Sequence, residues 1–93
     1  MDKKAVFFLV GPQGIGKTAA AQQIVDVLGC DQFRDLADED DGPDPKPGTL
    51  YLSNDFALSK EVLSVAAEFY RHPSVMICVE NKEGLNAFIA AIN

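Results

Sequence analysis

The sequence predicts an α/β fold, a small parallel sheet of three or four strands with helices packed on its faces. Three observations carry that expectation. Residues 5–10, Ala-Val-Phe-Phe-Leu-Val, form an unbroken apolar run closed by Gly11. A helical pattern follows at once. Two further apolar runs, 49–53 and 75–79, each lead into another helical pattern. Strands that alternate with helices pair in parallel through crossovers.

Each element has its own local reason. An apolar run of strand length that ends in glycine reads as a central strand, buried on both faces. From Thr18 to Leu28, Ala21, Ile24, Val25 and Leu28 recur at three- and four-residue spacing, the stripe of an amphipathic helix. Gly29 is a natural stop. A short strand is expected around Gln32–Arg34. Thr49–Ser53 reads as the next strand. A helix is expected from about Ala57 to Arg71, with Ser59 as its N-cap and Leu58, Val62, Leu63, Ala66, Phe69 and Tyr70 on one broad face. Pro73 ends it, because its ring clashes with a continuing helix. Val75–Val79 is a further strand, and Lys82–Ile92 a last helix burying Leu85, Phe88, Ile89 and Ile92. At 93 residues the chain makes one domain, residues 1–93.

Charge is unevenly distributed. The net charge of −6 resides in residues 31–45, where seven acids face the single Arg34; the remainder is balanced. Within this stretch, residues 37–48 form a loop rich in acid, proline and glycine, expected to be solvated and to offer a protein partner a contact. Asp38-Glu39-Asp40-Asp41 lacks the spaced ligands of a calcium loop. No cluster of Lys and Arg exists to coat a nucleic acid. No apolar run approaches bilayer length, and Met1-Asp2-Lys3-Lys4 has no signal-peptide character. Cys30 and Cys78 show no metal-ligand spacing and read as reduced, mostly buried thiols of a cytoplasmic protein.

The strongest chemical signal is Gly11-Pro12-Gln13-Gly14-Ile15-Gly16-Lys17-Thr18, which fits GxxxxGK[ST] at every fixed position. It leaves an apolar strand and opens a helix, the context this pattern requires. Glycines let the backbone turn tightly and bring its amides to an anion. The first helical turn has unpaired N–H groups and the positive end of the dipole. Lys17 adds an ammonium able to reach β- and γ-phosphates, and Thr18 a hydroxyl for magnesium. The bland alternative is a glycine-rich turn that merely packs tightly.

Over residues 6–28 the chain resembles the P-loop NTPase superfamily, with Gly11–Thr18 as its Walker A motif. The resemblance implies Mg²⁺ and ATP, and commonly nucleotide hydrolysis or phosphoryl transfer. It also implies a magnesium-holding acid at the end of a neighbouring strand. Asp55, Glu80 and Asp35 compete for that place. Asp55 is favoured because Thr49–Ser53 delivers it to the sheet edge where ligands bind; it serves equally well as a helix cap, and Asn54 can take either part. No aliphatic run ends in Asp, which departs from the family pattern. Asp31 and Asp35 lie where small-molecule kinases of the superfamily place a substrate base. Arg34 and Arg71 are the only arginines available to a phosphate lid. Asn81-Lys82-Glu83-Gly84 imitates a guanine-reading NKxD motif, but Gly84 replaces its Asp, so ATP is favoured over GTP and Asn81 reads as a helix cap. His72 reads as an exposed helix-end residue.

The expectation is therefore a Mg-ATP-binding protein, a slow NTPase or a reduced small-molecule kinase. The alternative is a non-catalytic nucleotide- or phosphate-binding module that acts through a partner protein.

Overall fold

The computed structural model describes residues 4–38 and 45–93. Four strands, β1 (Val6–Val10), β2 (Gln32–Asp35), β3 (Thr49–Ser53) and β4 (Ser74–Cys78), form one sheet. Its order is β2-β3-β1-β4, and every neighbouring pair is parallel. Three α-helices connect and cover the strands: α1 (Lys17–Leu28), α2 (Phe56–Ser64) and α3 (Lys82–Ile92). The expected α/β architecture is thus the observed one, with β1 at its centre.

Alternation along β1 divides the core into two layers. Leu9 joins Ala21, Ile24 and Val25 of α1, Leu50 and Leu52 of β3, and Leu85 of α3. Val6, Phe8 and Val10 point the other way, into a cluster with Tyr51, Leu36, Val62 and Ala66. Phe8 and Tyr51 stack there at 5.5 Å between ring centroids. Hence α1 and α3 cover one face of the sheet and α2 the other.

The helix after β3 departs from expectation. It begins at Phe56 with Asp55 as its cap, and Ser59 is a buried residue of its first turn that donates its hydroxyl to the Asp55 carbonyl at 2.8 Å. Beyond Ser64 the helix continues as a π-helical segment, Val65–Phe69, in which the Tyr70 amide donates to the Val65 carbonyl at 3.2 Å. The wider turn breaks the 3.6-residue period on which the single apolar face rested. Val62 and Ala66 stay buried, whereas Phe69 and Tyr70 emerge exposed; Leu58, ahead of the π turn, is exposed as well. Arg71 then takes a positive φ of 59° as the chain turns towards β4.

Two smaller readings also change. β4 begins at Ser74, is only partly buried and carries an exposed Cys78; Cys30 is half-buried, and both thiols are free. Neither is the buried core thiol expected, because β4 is an edge strand and Cys30 lies in the surface turn after Gly29. Leu36–Asp38 forms a 3₁₀ turn. Half of the acidic 37–48 loop, residues 39–44, lies outside the described residues.

Gly11 marks the tightest approach in the fold. Its amide donates to the Ser53 carbonyl at 3.0 Å. A Cβ there would stand 2.8 Å from both the carbonyl oxygen and a methyl of Val79. Gly11→Ala should therefore cost roughly 1–3 kcal/mol through overpacking, read as a fall of roughly 4–8 °C in Tm per kcal/mol. In Gly84→Ala the new methyl meets nothing closer than 3.5 Å, so that variant should keep or raise the wild-type Tm in the same thermal scans.

Candidate functional site

The chain leaves β1 for α1 on one face of the sheet and leaves the adjacent β3 for α2 on the other. Where two neighbouring strands send their helices to opposite faces, a crevice opens beyond their carboxyl ends. A cavity of about 380 Å³ occupies that place. It is lined by Gln13, Gly14 and Gly16 from the β1–α1 loop, Lys17, Thr18 and Ala19 from the first turn of α1, Leu52, Ser53 and Asn54 at the end of β3, Asp35 at the end of β2, and Ala37 beyond it.

The β1–α1 loop is held open by its glycines. Gly14 and Gly16 have φ of 83° and 96°, and a Cβ at either would meet nothing within 4 Å. Their requirement is conformational, since L side chains are strained at these angles, whereas that of Gly11 is steric. Gly16 is the N-cap of α1 and, having no side chain, offers no capping bond; the first turn carries no acid. The first helical bond runs from the Ala20 amide to the Gly16 carbonyl at 3.0 Å. The amides of Lys17, Thr18 and Ala19 have no acceptor among the described residues, so the positive end of α1 stands uncompensated.

The Lys17 ammonium folds back onto the loop, donating to the carbonyls of Gly11 and Pro12 at 2.6 Å each. Partial burial pulls its pKa below the ordinary lysine value, and the negative charge of Asp35 pulls the other way. Pro12 is exposed. Ile15 is half-buried and packs into the core layer of α1 and α3, pinning the middle of the loop.

The acids sort themselves by position. Asp35 is the carboxylate on the cavity among the described residues. One of its oxygens accepts from the Ala37 amide at 3.0 Å. Thr18, Asp35 and Leu52 also line a second cavity of about 430 Å³, with Phe33, Arg34 and Asp38. Asp55, favoured from the sequence for magnesium, does not line the cavity. Its Oδ1 accepts from the Leu58 amide at 3.0 Å, so of its two sequence-derived roles the structure displays the cap. Asp31 sits at the opposite edge of the sheet, paired with Lys4 at 2.5 Å. Arg71 and His72 also belong to that opposite edge, because they precede β4. Glu80 follows β4 and lines neither cavity. Asn81 caps α3 as expected, its side chain accepting from the Gly84 amide at 2.8 Å.

Sequence reasoning passed over Ser53. Its signal was a polar residue closing the otherwise apolar strand that pairs with β1. Its hydroxyl accepts from the Asp55 amide at 3.0 Å and so shapes the β3–α2 turn.

No protein-family model matches the chain, and neither a curated protein nor a solved structure matches it. Among the described residues, no helix is long and apolar enough to cross a membrane. No group of three or more His, Cys, Asp or Glu gathers among them either.

Because Asp55 caps α2, Asp55→Ala should lose about 1 kcal/mol, while Asp55→Asn, which caps equally well, should stay near wild type. Urea denaturation of the two variants checks the pair.

Proposed function

We propose that this protein binds the polyphosphate of a nucleoside triphosphate, with Mg²⁺, in the crevice between β1 and β3. The observation that carries the reading is the uncapped first turn of α1, which includes Lys17, opening on a cavity at the point where the helices following β1 and β3 go to opposite faces of the sheet. Several amides and an ammonium converge there on space large enough for phosphates, and an anion supplies what they lack. The Gly11–Thr18 sequence, which resembles a Walker A motif, supports the same reading independently.

The residues have separate tasks. Gly14 and Gly16 keep the loop backbone open. The amides of Lys17, Thr18 and Ala19 donate to phosphate oxygens. Lys17 exchanges two neutral carbonyl acceptors for charged ones, which form stronger bonds. Thr18 and Asp35 face the cavity with one hydroxyl and one carboxylate, a donor set suited to a Mg²⁺ that keeps its remaining sites for phosphate and water. The bound ion would neutralise phosphate charge. Asp35 also borders the second cavity, so an acceptor hydroxyl held there would meet a carboxylate as its base. ATP is preferred to GTP on the sequence argument from Gly84.

A second reading, a binding module without turnover, draws on α2. Phe56 and Phe69 line an exposed groove of about 860 Å³ on its outer side, away from the phosphate crevice. Prolonged incubation with Mg-ATP separates the two. Phosphate release lost in both Lys17→Ala and Asp35→Asn identifies an enzyme, and binding without release identifies the module.

Calorimetry with Mg-ATP should give measurable heat for wild type and none for Lys17→Ala. Equal, null heats for both proteins would end the proposal. At ~100 times its Kd the ligand adds about 2.7 kcal/mol, which for a domain this small raises Tm by roughly 10 °C or more. Affinity should also fall in alkaline buffer, since neutral Lys17 loses its attraction for phosphate. Because burial lowers its pKa, that fall should begin below the pH at which an exposed lysine titrates, as a calorimetric pH series would show.

A further inference from the structure

The two edges of the sheet differ in a way the phosphate crevice does not explain. β2, at one edge, carries Arg34 and Asp35, charges of the kind that discourage strand addition. β4, at the other, is Ser-Val-Met-Ile-Cys, with no charge, proline or bulge. Its Val75 is 42% exposed.

The hydrogen-bonding phase of that edge follows from two bonds. The Val6 amide donates to the Pro73 carbonyl at 2.8 Å, and the Val79 amide to the Val10 carbonyl at 2.9 Å. Residues 73 and 79 thus turn their polar groups towards β1, and by strand alternation so do Val75 and Ile77. Ser74, Met76 and Cys78 turn theirs outward, where none finds a backbone partner among the described residues.

We propose that the free edge of β4 pairs antiparallel with β4 of a second copy of this chain, about a twofold axis through Met76. In that register Met76 faces Met76, and Ser74 faces Cys78 of the second copy. All three outward residues then exchange both of their backbone bonds with one another, which no shifted register allows. The side chains agree with the backbone. Val75 falls beside Ile77 of the second copy, on the face covered by α1 and α3, and so loses its exposure. The charges agree as well. His72 falls opposite Glu80 of the second copy, with Arg71 next to it, and the twofold repeats this at the other end. Arg71 and Glu80 are exposed and have no ion pair among the described residues. A strand whose two ends carry opposite charge is complementary to itself when reversed. That is the requirement of a twofold interface, and it selects a second copy over an unrelated strand. The product is one continuous eight-stranded sheet with both phosphate crevices left open.

Sedimentation equilibrium from micromolar to submillimolar concentration should give twice the chain mass for wild type. Val75→Lys, a charge placed on the exposed edge, should be monomeric with unchanged circular dichroism. Glu80→Lys should weaken the dimer, and adding Arg71→Glu should recover part of the loss. Register is read separately. Ser74→Cys, oxidised with diamide, should form a covalent dimer through the native Cys78, and the further change Cys78→Ser should abolish it. A wild-type monomer at every concentration overturns the proposal, whatever other strand the edge accepts. So does a dimer indifferent to Val75→Lys, or one that Ser74→Cys fails to cross-link.

Discussion

The backbone of Gly11 is the constraint on which the site depends. It is held on one side by the hydrogen bond its amide donates to the Ser53 carbonyl, which ties the end of β1 to the end of β3. On the other side it lies so close to Val79 that no Cβ fits. The loop that follows therefore starts from a fixed point between two strands. Fixing that point fixes where α1 begins, and with it the place at which three unbonded amides reach the carboxyl edge of the sheet. A loop anchored less tightly would spend ligand affinity on ordering itself.

Electrostatics at the crevice run against the charge of the chain as a whole. A net charge of −6 repels an anion at long range. What offsets it is local: one ammonium and the end of one helix, in a partly desolvated pocket where each counts for more than in bulk water. Asp35 belongs to the same pocket and acts on Lys17 from across it. The ammonium itself is satisfied by the carbonyls of Gly11 and Pro12, neutral acceptors that a charged one would outcompete.

The same sheet separates its interfaces. The cavity beside the unbonded amides of α1 lies at the carboxyl ends of β1 and β3. The outward groups of β4 lie along its length, and the exposed aromatics Phe56 and Phe69 lie on the outer side of α2. These surfaces are built from different residues.

Much of this was legible in the residues. The apolar run at 5–10 fixed a central strand, and the glycines of 11–18 fixed a loop with an open backbone, because both depend on neighbours in the chain. Asn81 and Gly29 declared their capping roles for the same reason. The choice between Asp55 and Asp35 was not legible. Each follows a strand, and only the strand order, with β3 beside β1 and α2 capped by Asp55, shows which carboxylate reaches the cavity. The exposure of Phe69 and Tyr70 was hidden too, since a single π turn alters the phase of a helix without leaving a mark in its composition. Local stereochemistry is written residue by residue. Which distant side chains meet, and which edge is left bare, is decided by how strands are ordered across the sheet, a matter of long-range packing that no short window of sequence contains.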